Sequence, residues 1–275
     1  MFKVYGLLVG FGLLVATAVS LLNPFTKTTV NSFNIHAQEL RIKHDDALIT
    51  LKKDFNIADA IWNDHFKDLS GFITADDLLG VAQNSTIKTD DPEIVAYTKK
   101  ALIEYGINPE KVAIELVNNG SAFCAMQKLA KPDMNYSTDN RIVHSIQLDL
   151  EKINTYNTDV QHAFVRHEIM HLLHYDSIEA AYVVTLLTTL GHTPEKYNTH
   201  QSMVDYRYQR ELRADLLATC HDVSMAQELD TYFQNVIARS KNKDISSHSH
   251  PPYQMRHEQL SNLMQEMQTS APKLA

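Results

Sequence analysis

Two histidines four residues apart, with a glutamate directly after the first, form the run His167-Glu168-Ile169-Met170-His171. On a helix, positions i and i+4 share a face, so both imidazoles can reach one metal ion. Glu168 is offset around the helix and cannot ligate that ion in this geometry. It can reach a water held on the ion, act there as general base, and later pass the proton to a leaving amine. The chemistry such a run supports is hydrolysis by a metal-bound water, with one zinc ion per chain. The competing, inert reading is a helix with two solvated or core histidines. The spacing of Val160, Phe164, His167, His171 and His174 works against it, because the histidines continue an apolar stripe.

A catalytic zinc usually takes three protein ligands and a water. Two candidates for the third ligand stand open on spacing. His174 follows His171 by three residues and can approach the same face. Glu211, in Arg210-Glu211-Leu212-Arg213-Ala214-Asp215, shares a helical face with Asp215. One helix would then present a ligand together with a carboxylate that accepts the spare N–H of a ligating histidine. Taken without the histidine run, Glu211 and Asp215 would read as a solvated acidic face flanked by arginines. The metzincin pattern requires Gly at 174 and His at 177, where this chain has His174 and Ser177.

The elements that must position these groups follow from periodicity and punctuation. Residues 34–70 read as helical, with Leu40, Ile42, Leu48, Leu51 and Phe55 as a loose apolar stripe. Thr74-Ala75-Asp76-Asp77 has the composition of a helix start, with Thr74 as N-cap. A helix opens at Asp91-Pro92-Glu93, runs to about Tyr105 and stops at Gly106. Residues 111–116 and 121–126 read as strands, and Asn118-Asn119-Gly120 between them suggests a hairpin. Residues 140–150 give a third strand. A strong helix runs from Asp159, as N-cap, through His174. Further helices are expected over 177–190, 201–222 and 253–269, with a loop between the last two that is polar over 242–249. Helices, then a few strands, then helices make an α+β chain, mostly helical with a small antiparallel sheet.

The chain has 275 residues and a net charge of −8, with no Lys/Arg cluster, which argues against nucleic acid as a partner. Lys3 followed by an apolar run over residues 4–22 reads as a signal peptide or a membrane anchor. Ala16-Thr17-Ala18 fits a cleavage site, and the run is also long enough to span a bilayer. Either way the rest of the chain is expected outside the cytoplasm, periplasmic or extracellular, with membrane association through that segment. Cys124 and Cys220 can form one disulfide or remain two thiols. The expected organisation is a leader or anchor over 1–22, a helical extension over 23–88 and the chemical domain over 89–275.

Three blocks together resemble the gluzincin peptidases of the HtpX and CAAX-prenyl-endopeptidase family. They are His167–His171, then Glu211-Leu212-Arg213-Ala214-Asp215, then His250-Pro251-Pro252 with Arg256 six residues after His250. Asn119-Gly120-Ser121-Ala122-Phe123 is similar to that family's edge-strand segment, with Gly-Ser inserted. The stretch between His171 and Glu211 holds no apolar run long enough to cross a bilayer, as in the exported branch. The resemblance covers about residues 90–265.

It implies a zincin-like domain with His167, His171 and Glu211 as zinc ligands, Glu168 as general base and Asp215 behind a ligand. His250 would stabilise an oxyanion with Arg256 bracing it. An extended protein or peptide substrate would add as a strand near Ala122 and Phe123. The implied activity is zinc-dependent endopeptidase cleavage of cell-envelope or misfolded proteins. The rivals are a non-proteolytic, chaperone-like zinc module of the same fold and a structural envelope protein with a chance histidine run.

Overall fold

The computed structural model describes residues 27–76, 78–79, 92–118, 120, 122–129, 142–220, 222–240 and 250–270. The apolar segment 1–22, the residues Asn119 and Ser121 and the polar loop 242–249 lie outside the described residues. The order is α1 (Lys27–Asp54), α2 (Asp59–Ala75), α3 (Glu93–Glu104), β1 (Val112–Leu116), β2 (Phe123–Leu129), β3 (Ile142–Leu148) and α4 (Leu150–Ile153). Then come α5 (Thr158–Leu173), α6 (Asp176–Thr189), α7 (Pro194–Thr199), α8 (Gln201–Thr219), α9 (Val223–Arg239) and α10 (Tyr253–Ser270). The chain is α+β and mostly helical. No helix among the described residues is long and apolar enough to cross a membrane.

Contacts divide the chain into two compact units. One takes in Asn56–Tyr156 and Glu168–His192, the other Asn23–Phe55, Asn157–His167 and Thr193–Ala275. The boundary falls inside α5, which is a continuous helix.

The first unit is built on a three-stranded sheet in the order β1-β3-β2. β3 pairs parallel with β1 and antiparallel with β2. The sheet is therefore mixed rather than antiparallel, and the expected β1–β2 hairpin does not form. β3 takes the middle because it is the most buried strand, with Ile142, Ile146 and Leu148 in the core. β1 and β2 lie on either side of β3, two strand spacings of about 4.8 Å each apart. β2 is left as an edge with α6 packed near it. α3 starts after Pro92 and ends at Gly106 (φ 72°), a left-handed stop that glycine takes without steric cost. Thr74 does not open a helix. It lies in the last turn of α2, where its hydroxyl donates to the Ser70 carbonyl, and Asp76 follows as C-cap. A Thr with acids after it suits a helix start, but bonding back to residue i−4 also lets Thr sit inside a last turn.

In the second unit α8 is the central helix, buried at every position from Glu211 to Thr219. α1 packs along it. The buried stripe of α1 is Leu40, His44 and Leu51, continued by Phe55 beyond its end. Ile42 is 53% exposed, because two residues from Leu40 is the opposite helix face. His44 meets Tyr206 of α8 at 5.5 Å between ring centres. α9 spans residues where a loop was expected. Asp222 caps it, accepting from Ser224 and Met225, and Met225, Ala226, Leu229 and Phe233 are buried. α10 is held to α9 by the His257 Nδ1–Asp230 bond of 2.6 Å and to α8 by Gln259 Nε2 donating to the Leu212 carbonyl.

Candidate metal centre

α5 begins at a cap supplied by Asn157, whose Oδ1 accepts from Val160 N at 2.8 Å. Asp159, expected as the cap, sits in the first turn, where its charge suits the helix dipole. Val160, Ala163, Val165, Ile169, Met170, Leu172 and Leu173 are buried, which fixes the helix on several sides. His167 and His171 are buried one turn apart on it. His167, His171 and Glu211 each offer a ligand atom within 4.8 Å of one another, the one such group among the described residues.

On the α8 side, Glu211 Oε2 stands 3.4 Å from His167 Nε2. That matches the roughly 3.4 Å edge of a tetrahedron with bonds of about 2.0–2.1 Å. Asp215, one turn further on, accepts from His167 Nδ1 at 2.9 Å. Arg256 closes this chain of contacts. Its Nε and a terminal nitrogen each donate to Asp215 at 2.6 Å, and its guanidinium lies 4.5 Å from the Phe233 ring centre. Arg256 thus grips Asp215, the carboxylate behind a candidate ligand, where the resemblance implied that it would brace His250. Breaking such a buried pair from one side costs about 3–5 kcal/mol. His250 stands just before α10, with a side chain 59% exposed and Nε2 3.7 Å from Glu211 Oε2.

His171 has its own carboxylate. Its Nδ1 donates to Asp176 Oδ2 at 2.7 Å. Both histidines therefore spend Nδ1–H on a buried aspartate, which leaves Nε2 of each as the nitrogen a metal would take. Asp176 is absent from the sequence-derived set, since no helical spacing places i+5 beside His171. The break between α5 and α6 brings it there. Tyr175, at φ 56° and ψ 31°, is left-handed, a conformation that costs a non-glycine residue about 1–3 kcal/mol.

Glu168 points to the sheet edge. Its Oε2 accepts from Ala125 N at 2.7 Å, and Ser177 Oγ donates to the Ala125 carbonyl at 3.1 Å. Ala125 lies in β2 opposite Ile146. The strand residue beside Glu168 is thus Ala125 rather than Ala122 or Phe123. The Ala122 carbonyl instead accepts from Asp149 N, and the Phe123 ring lies near Tyr156 at 6.5 Å. His174 is half-buried beyond the end of α5 and is not in the three-residue group. Cys124 and Cys220 form no disulfide. Burial pushes the Cys220 thiol well above its ordinary pKa.

Charge completes the picture. Burial opposes a proton on His167, but the Asp215 and Glu211 carboxylates outweigh it and push its pKa up from 6.5 to about 10. Burial likewise works to raise the Asp215 pKa, and Arg256 with His167 holds it below the usual carboxylate range. The same negative field favours a dication, and the donor set of two imidazoles and one carboxylate suits zinc.

A pH dependence follows. Metal-free protein draws stability from His167 in full below pH 6.5 and loses it as pH rises through about 10. A metal must displace that proton, so zinc affinity should rise about tenfold per pH unit between about pH 7 and 9. Chelator-competition titrations check this, and a flat profile would contradict it.

No protein-family model, curated protein or solved structure matches this chain.

Proposed function

We propose that this chain is a zinc-dependent endopeptidase with a zincin-like fold, similar to the exported gluzincins of the HtpX and CAAX-prenyl-endopeptidase type. The observation that carries the reading is the buried group of His167, His171 and Glu211, with both histidines backed by aspartates. These three residues would hold one zinc ion, which supplies Lewis acidity toward a carbonyl and toward water. Asp215 and Asp176 fix the imidazoles with Nε2 presented. Glu168, on the next position of the same helix, is the general base and the proton carrier to the leaving amine. Glu168 accepts from Ala125 N of the edge strand β2, and an extended protein or peptide would pair as an added strand along that edge at positions other than Ala125, whose N and O are taken by Glu168 and Ser177. His250, exposed beside Glu211, would donate to an oxyanion. The apolar segment 4–22 supports export or anchoring, and envelope or misfolded proteins are the proposed substrates.

The test is cleavage of an unfolded protein by the purified chain, stopped by a chelator and restored by zinc. Zinc uptake without cleavage would favour a non-proteolytic binding module. In the same assay His250→Phe should lower turnover by about 10- to 1,000-fold with little change in KM. An unchanged rate would remove His250 from the site.

A further inference from the structure

A second buried polar cluster lies behind the turn that carries Asp176. The Asp76 side chain is only 4% exposed. Its Oδ2 accepts from two donors, His144 Nε2 of β3 at 2.7 Å and the Tyr175 hydroxyl at 2.8 Å. On the far side of His144, Nδ1 lies 3.1 Å from Gln127 Nε2, which also donates to the Leu172 carbonyl in the last turn of α5. The His144 and Tyr175 rings meet edge-on at 6.0 Å. Asp76 therefore joins the end of α2, the central strand and the break between α5 and α6.

That break needs holding. Tyr175 is one of two non-glycine residues with positive φ among the described residues, and a bulky side chain there is an outlier that its surroundings must impose. Its ring is buried and its hydroxyl is fixed by Asp76. The left-handed turn at 175 then aims the next residue, Asp176, at His171 Nδ1.

We propose that Asp76 is a positioning residue for the metal ligand His171, acting through the Tyr175 hydroxyl and Asp176. It does not touch the metal or the substrate. Its task is to keep Tyr175 left-handed, and so to keep Asp176 on His171. This rests on the reading of His171 as a ligand. It also makes the C-cap of α2 part of the centre's support.

The experiment measures Zn2+ affinity of the full chain by competition with a chelator. Asp176→Ala should weaken binding about 10- to 100-fold. Tyr175→Phe, which keeps the ring, and Asp76→Ala should each weaken it about three- to tenfold. Asp76→Asn keeps an accepting oxygen and should restore most of the affinity. In an Asp176→Ala background, Tyr175→Phe should add less than about twofold, because the route to His171 is already cut. Loss of stability alone would not produce that pattern. Wild-type affinity in Tyr175→Phe, or full additivity with Asp176→Ala, would overturn the inference while leaving the metal centre standing. A wild-type chain that binds no zinc would overturn both.

Discussion

Glu168→Gln should reduce peptide-bond cleavage by at least about 10²- to 10⁴-fold while zinc stays bound. The substitution is close to silent for the fold. Glu168 Oε2 accepts one hydrogen bond from Ala125 N, and a glutamine oxygen can accept the same bond. What is lost is the capacity to take up a proton, since an amide does not do so near neutral pH. The measurement is turnover of an unfolded protein alongside zinc content. Activity within a few-fold of wild type would remove Glu168 as base. Loss of zinc would assign it a ligand's role instead.

The second large effect is on metal binding. Glu211→Ala should weaken zinc by more than the about 10- to 100-fold typical of removing a residue behind a ligand. Two features of the site act together. Glu211 supplies the oxygen 3.4 Å from His167 Nε2, and its charge helps raise the His167 pKa. Removing it takes away a candidate ligand and weakens the field that would attract a cation. His174→Ala should leave zinc affinity within about twofold, because His174 is outside the three-residue group. The reverse result, with His174→Ala weakening zinc and Glu211→Ala not, would assign the third ligand to His174.

Parts of this centre were legible in the chain because helical geometry relates them. His167 to His171 and Glu211 to Asp215 are i, i+4 pairs, and that spacing holds in any helix. Asp176 was hidden because its place depends on one left-handed residue between two helices, and a tyrosine there carries no turn signal. Ala125 was hidden for a different reason. Which residue of an edge strand meets α5 is a matter of register, and register is set by pairing with β3. The mistaken hairpin has the same origin. The Asn-Asn-Gly signal marks a change of direction, but β3 comes later in the chain and its greater burial puts it in the middle. Arg256 entered through the family resemblance, as a brace for His250, while its bidentate hold on Asp215 depends on how α10 packs against α8 and α9. α9 had an apolar stripe and an Asp cap, and the buried Asp230 interrupts that stripe in the sequence.

The central claim is that His167, His171 and Glu211 hold a zinc ion. Crystals grown with zinc and measured at its absorption edge test it directly. One anomalous peak per chain is expected, about 2.0–2.2 Å from the Nε2 atoms of His167 and His171 and from a Glu211 oxygen. No peak at that position, or a peak ligated by His174 in place of Glu211, would contradict it.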